Sequence, residues 1–336
     1  MENVSNGSRS LHVVFGAGQI GPRLADALAA RGHAVRVVRR SARPVGEHEV
    51  VSGDARDAAF ARRASEGAAA LYHCMNPSAY RGRAWEEELP AMMEALIDAA
   101  LANDARLVVL DNLYAYGPTE GARTEATRLA ASGRKGRVRA RCAEMLERAR
   151  DAHGLCYVVG RAGDFFGPDA DEALVSPAAV RGIAAGARPL ALGDPDAPHA
   201  FSFTDDVVQA LARLGDAPDV EGEVFHLPVH VVSPRELYAR IGARFGVTAR
   251  PRRLGRLVLW LLWPFASLFR ELLETLYQWD RPFLVDDARF RARFPDVGVT
   301  LEEAIDGTVA AAQGSSTEAQ GGSKVSSSQS AALPSL

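Results

Sequence analysis

Val13-Val14-Phe15-Gly16-Ala17-Gly18-Gln19-Ile20-Gly21 is the stretch whose reading decides the fold: a short apolar run ends in G-x-G-x-x-G and opens into Leu24-Ala25-Asp26-Ala27-Leu28-Ala29-Ala30-Arg31. The order is strand, tight turn, helix. Gly16 permits the turn, Gly18 lets a pyrophosphate approach the backbone, and Gly21 lets helix and strand pack closely. The phosphates then sit at the helix N-terminus, with Gln19 and Ile20 beside them, where unpaired N–H groups and the helix dipole favour anions. Arg31-Gly32-His33 closes the helix ahead of a second strand, Ala34 to Val38. A dinucleotide-binding βαβ unit is predicted.

Working outward, the second strand ends in Val37-Val38-Arg39-Arg40, where an NAD-preferring unit places Asp or Glu on the ribose 2′-hydroxyl. Arginine at Arg39 or Arg40 suits a 2′-phosphate, so NADP(H) is favoured over NAD(H). A third strand runs through Val50-Val51-Ser52, and a fourth from Ala69 to Cys74 leads into Met75-Asn76-Pro77. Trp85 to Ala102 carries Leu89, Met92, Met93, Leu96, Ile97 and Ala100 at the helical period, and a fifth strand covers Arg106 to Asp111. Strand alternating with helix, and no hairpin signal, implies a parallel sheet with ligands beyond the strands' carboxyl ends. That puts Met75 and Asn76 on the cofactor side, with His73 as a wall residue.

Further along, five more segments stand in order. These are Asp54-Ala55, Asp111-Asn112-Leu113-Tyr114-Ala115-Tyr116-Gly117-Pro118, Gly160-Arg161-Ala162-Gly163-Asp164-Phe165-Phe166-Gly167-Pro168, His199-Ala200-Phe201-Ser202-Phe203-Thr204-Asp205-Asp206-Val207-Val208, and Gly222-Glu223-Val224-Phe225-His226-Leu227 with Ser233-Pro234-Arg235-Glu236-Leu237. With these segments, the chain from about residue 11 to 250 resembles the extended short-chain dehydrogenase/reductase superfamily, in its NAD-dependent epimerase/dehydratase group. The resemblance implies that Asp54 and Ala55 face the adenine, that Arg161 belongs to a cofactor-side segment, and that Tyr116 is packed. Ser233 is also a good helix N-cap on its own chemistry.

The departure from the family is the Y-x-x-x-K pair, in which Lys lowers the pKa of a Tyr that exchanges a proton with substrate. The tyrosines at 72, 80, 114, 116, 157, 238 and 277 are followed four residues later by Asn, Ala, Pro, Glu, Arg, Gly and Arg. The aligned helix places the Tyr near Lys135 or Gly136 and the Lys near Arg139 or Ala140; Asn112 stands at the catalytic Ser position. Tyr114 is the expected proton donor, with Asn112 on the substrate oxygen and Arg139 as electrostatic partner.

From Leu257 to Phe269 the chain is apolar but for Pro264 and Ser267, and Trp260, Trp263 and Trp279 fall in or near this run. Thirteen residues are too few to span a bilayer, which needs about 20. The run reads as a lid over an apolar substrate, as helical core, or as a membrane contact through 257–279, and the tryptophans tilt it to the lid. The expected architecture is an α/β, Rossmann-type doubly wound parallel sheet with helices on both faces and a smaller C-terminal substrate domain. Residues 11–168 with 199–231 form the NAD(P)-binding domain, 169–198 with 232–312 the substrate domain, and 1–10 and 313–336 disordered tails.

The 336 residues carry a net charge of −3 with arginines spread along the chain, which argues against a nucleic-acid partner. Cys74, Cys142 and Cys156 lack metal-ligand spacing, and the polar N-terminus lacks a signal-peptide core, so a reducing, cytoplasmic setting without a bound metal is expected. The function expected on these grounds is an NAD(P)H-dependent reductase of a bulky apolar carbonyl- or quinone-type metabolite, working as a monomer or homodimer. The alternatives are a nucleotide-sugar epimerase or dehydratase and a cofactor-binding redox sensor without turnover.

Overall fold

A computed structural model describes residues 9–262 and 267–321. Its centre is a sheet of seven strands: β1 (Leu11–Phe15), β2 (Ala34–Arg39), β3 (Glu49–Ser52), β4 (Ala68–His73), β5 (Arg106–Asp111), β6 (Tyr157–Arg161) and β10 (Glu223–His226). All pair in parallel in the order β10-β6-β5-β4-β1-β2-β3. The order reverses between β1 and β4, the crevice where doubly wound sheets bind ligands.

Successive residues of a strand face opposite sides, and here both sides are covered, so the central strands are near-continuous apolar runs. Val13, Phe15, Leu71, Leu107 and Val109 meet α2 (Ala58–Ala64), α3 (Gly82–Asn103) and α4 (Arg134–His153). Val14, Tyr72, Val108 and Val158 meet α1 (Gly21–Ala30), α6 (Thr204–Asp216) and α10 (Ala288–Arg293).

A second core lies around Phe166, Leu192, Phe201, Leu237, Leu259, Leu276, Trp279 and Ile305. It is built from β7 (Asp164–Phe166), β9 (His199–Phe203) and β11 (His230–Val232), the pair β8 (Leu190–Leu192) and β12 (Arg252–Leu254), and the helices α5 (Pro177–Ala184), α7 (Pro234–Ala243), α8 (Arg256–Leu262), α9 (Ser267–Thr275) and α11 (Leu301–Gly321). Ser233 caps α7 as its chemistry predicts, its hydroxyl accepting from the Glu236 N–H at 3.2 Å. Helix α11 continues past Gln313, where the composition reads as tail, to Gly321. Residues 1–8 and 322–336 of the expected tails, and residues 263–266 of the apolar run with Trp263 and Pro264, lie outside the described residues.

Candidate active site

The glycine turn has the geometry its sequence requires. Gly16 sits at φ +113°, and a Cβ there would meet the Cys74 carbonyl oxygen at 2.7 Å. A Cβ on Gly21 would fall 1.8 Å from the Gly16 oxygen, so only glycine closes strand onto helix. At Gly18 a Cβ would meet nothing within 4 Å: the open side of the turn is here. No side chain caps α1, whose N-cap is Ile20, so its first N–H groups are left to a ligand. An open turn aimed at uncapped donors fits a dinucleotide pyrophosphate. The Ile20 side chain is core, 3 % exposed, and the Gln19 amide oxygen accepts from the Glu172 N–H at 3.3 Å.

Around this turn, Met75 packs beside Gly16 and donates its N–H to His73 Nδ1 at 3.2 Å. Burial, then the Arg139 charge, pushes the His73 imidazole down to about 3, so it is a neutral wall residue as expected. At the end of β2, Arg39 is partly buried and donates to the Arg43 carbonyl at 3.3 Å; Arg40 is exposed. Asp54 follows β3 and grips Arg56 through Nε at 3.0 Å; that bond, with a smaller share from Arg40, holds its carboxyl below the usual carboxylate range. Ala55 is buried next to it.

At the other end of the crevice the structure corrects several expectations. Arg161, expected on the cofactor side, spends its donors within the protein. It is 3 % exposed, donates Nε to Asp111 Oδ2 at 3.1 Å and NH1 to the Tyr116 hydroxyl at 2.7 Å, and so belongs to the frame. Tyr116 passes its hydroxyl on to His226 Nε2 at 2.7 Å and is packed, as expected. Asp111 also meets Arg139, at 3.3 Å, so one carboxylate stands between two buried guanidiniums. The other arm of Arg139 donates to Asn76 Oδ1 at 2.8 Å. Asn112 turns its Oδ1 back onto the Tyr114 N–H at 3.0 Å, the local turn this residue type favours.

The Tyr114 hydroxyl pairs with that of Tyr80 at 3.2 Å, and burial raises its pKa well above 10. Burial raises Tyr80 to about 12. Desolvation disfavours the phenolate, so both are weaker acids than a free tyrosine, and Tyr114 is poorly suited to the donor role.

Lys135 stands one turn before Arg139 on the same face of α4. Its side chain is fully buried, 4.5 Å over the Tyr80 ring, and Nζ bonds to Glu271 Oε2, with the Glu271 carbonyl at 3.3 Å and Glu274 Oε2 at 3.4 Å. The two glutamates also close helix ends that lack a side-chain cap of their own: Glu271 accepts from the Gly82 N–H of α3 at 3.0 Å, Glu274 from the Lys135 N–H of α4 at 2.7 Å. Thr275 completes the wall, 3.3 Å from the Tyr80 hydroxyl. What α9 turns toward the crevice is therefore charged and polar. Trp279 is instead stacked on His199 in the second core, and Trp260 is exposed, so neither forms an apolar lid. Hollows of about 360 Å³, lined by Arg36, Glu49 and Phe60, and about 240 Å³, by Arg213 and Arg293, lie away from these residues.

Sequence reasoning named Lys135 only as the place where the missing tyrosine aligns and gave it no role, and it missed Glu271 and Glu274. The available signals were rarity and spacing: Lys135 and Lys324 are the chain's lysines, and Glu271 is the first acidic residue after Glu236, with Glu274 three positions on.

The family model described as the NAD dependent epimerase/dehydratase family matches residues 12–227. Among curated proteins, none matches by sequence. Among solved structures, a UDP-glucose 4-epimerase of Thermotoga maritima with UDP-glucose aligns at TM-score 0.75 and 18 % identity over 91 % of this chain and 99 % of that one. A dTDP-glucose 4,6-dehydratase of Streptomyces venezuelae with NAD aligns at 0.73 and 20 %, over 92 % and 98 %. A UDP-glucuronic acid 4-epimerase of Bacillus cereus with NAD aligns at 0.73 and 13 %, over 90 % and 99 %. The expectation of a reductase for a bulky apolar carbonyl or quinone is thereby corrected: the family is that of epimerases and dehydratases, and the fold is shared with enzymes that hold nucleotide sugars.

Proposed function

The chain belongs to the NAD-dependent epimerase/dehydratase family, and from that premise we propose that it is an NAD(P)-dependent enzyme acting on a nucleotide sugar by hydride transfer at a hydroxyl-bearing carbon. The observation that carries this reading is the pair Lys135 and Arg139, buried one turn apart on α4 in the crevice beyond β4 and β5. A bound nicotinamide would supply the hydride acceptor and donor. Gly16, Gly18 and Gly21 would hold the pyrophosphate on the N-terminus of α1, and Arg139 with Asn76 would meet the nicotinamide ribose.

When a hydride leaves the substrate carbon, its hydroxyl proton must go to a group within about 3 Å or one water away. Lys135 takes this task in place of the missing tyrosine. Its ammonium passes a proton to Glu271, to which it is already hydrogen-bonded, and takes the substrate's; return of the hydride runs the relay backwards. The 3.4 Å contact to Glu274 is the one the substrate oxygen replaces. Tyr114 and Tyr80 form the wall. The second core is the substrate side, and Arg39 with Arg40 favours NADP(H) through a charge-assisted bond worth about 1.5 to 3 kcal/mol.

The test is to titrate NAD(H) and NADP(H) into the protein by calorimetry, then follow UDP-glucose, UDP-glucuronate and dTDP-glucose by NMR. Conversion is expected to fall about a hundredfold or more in Lys135→Met with cofactor affinity unchanged, and to stay within severalfold in Tyr114→Phe. Failure of both cofactors to bind sinks the reading. The full pairing of Lys135 with Glu271 and Glu274 favours a second reading, a cofactor-bound sensor without turnover, which is what binding without conversion of any nucleotide sugar would establish.

A further inference from the structure

Six large apolar side chains are exposed among the described residues, and four lie on the two turns of α8: Leu257 (69 %), Val258 (42 %), Trp260 (60 %) and Leu261 (54 %). Leu259, between them, is fully buried in the second core and fastens the helix down, so the exposed face is held out by packing on its opposite side. No described helix is long and apolar enough to cross a membrane.

The sequence on either side of this face is one-sided in charge. No Asp or Glu occurs between Glu236 and Glu271, while Arg250, Arg252, Arg253, Arg256 and Arg270 fall in that interval and are exposed. Of the carboxylates on the elements that follow α8, Glu271 and Glu274 turn inward to Lys135, and Asp280 pairs with Arg256 at 2.8 Å. A chain of net charge −3 thus carries on α8 a run of exposed apolar side chains, with exposed arginines before and after it in sequence and no carboxylate among them. Packing two copies face to face would set these like charges against each other. An anionic lipid surface satisfies both: hydrocarbon takes Leu257 and Leu261, the interface takes the amphipathic indole of Trp260, and lipid phosphates take the arginines.

We propose that α8 is an interfacial membrane anchor that seats the protein on an anionic bilayer with the helix lying in the headgroup plane. The inference is independent of the reaction at Lys135. The experiment is flotation of the full chain with phosphatidylglycerol/phosphatidylcholine vesicles and with phosphatidylcholine alone. The protein is expected to float with the anionic vesicles, to leave them at high salt, and to show a blue shift of tryptophan emission on binding. Leu257→Gln/Trp260→Gln is expected to lower the partition coefficient more than tenfold, and Arg250→Gln/Arg270→Gln about twenty-fivefold at low salt, at about fivefold per arginine. Circular dichroism of both variants is expected to match the wild type, since the substituted side chains are exposed. No flotation, or equal flotation with both lipids, overturns the proposal. So does a dimer by light scattering that Leu257→Gln/Trp260→Gln dissociates, which would make the face a self-interface.

Discussion

At one end of the crevice the turn from Gly16 to Gly21 is shaped by backbone alone, with an empty side at Gly18 and uncapped donors on α1. At the other end, Lys135, Arg139 and Arg161 are buried and held by Asp111, Glu271 and Glu274, side chains brought from β5 and α9. The first end is a mould whose shape each glycine enforces locally. The second is a balance of charges, in which removing one partner strands the others away from water. A mould and a balance fail differently under substitution.

The largest effect is expected where the balance is upset. Asp111→Asn leaves Arg139 and Arg161 facing each other with no anion, and breaking a buried pair in this way costs about 3–5 kcal/mol. Urea unfolding at pH 7 measures it; a loss under about 1 kcal/mol would mean that water reaches the pair. At the mould, Gly21→Ala forces the Gly16 carbonyl away and is expected to cost about 1–3 kcal/mol together with loss of dinucleotide binding.

Acid gives a third comparison. Burial holds the His73 imidazole down to about 3, at the carboxyl end of β4, and that of His12 down to about 4, at the amino end of the neighbouring β1. Both folded-state values lie below the ordinary 6.5, so the unfolded chain binds the extra protons. Their neutral burial therefore costs nothing above pH 6.5, and stability falls as pH drops toward 4 with a slope approaching about 1.4 kcal/mol per pH unit for each imidazole. His12→Gln and His73→Gln are each expected to flatten the curve over that window and to leave its slope unchanged above pH 7. The smallest effect on stability is expected for Gly18→Ala, within about 0.5 kcal/mol because the new methyl meets nothing, although cofactor affinity falls. If Gly18→Ala bound the dinucleotide as well as the wild type, the open side of the turn would not be where the pyrophosphate sits.

How far each end was legible follows from the same distinction. G-x-G-x-x-G, the apolar strands β1, β4 and β5 alternating with helices, and Ser233 as a cap are local statements, and the structure repeats them. Arg161, Asn112 and Tyr114 were placed by position within segments, but their partners come from elsewhere in the chain: Asp111 claims Arg161, and Tyr80 claims the Tyr114 hydroxyl. The apolar run was legible as apolar and illegible as to direction. Composition does not say that Leu259 faces in, Trp260 out, and the glutamates just beyond toward a lysine more than a hundred positions earlier.

The glutamate caps also fix an order of assembly. Gly82 and Glu271 are separated by 189 positions, and Lys135 and Glu274 by 139, so these bonds close some of the longest loops in the protein. Contacts of such separation form after the local βα units, because the entropy of closing the loop is lost before the bond can repay it. Until α9 docks, α3 and α4 lack their caps, and the Lys135 ammonium must remain in water, since burying it unpaired is far too costly. The α4 end of the crevice is therefore expected to stay wet and incomplete until α9 docks, which amide exchange at the first turns of α3 and α4 would register as protection gained after that of the βα units.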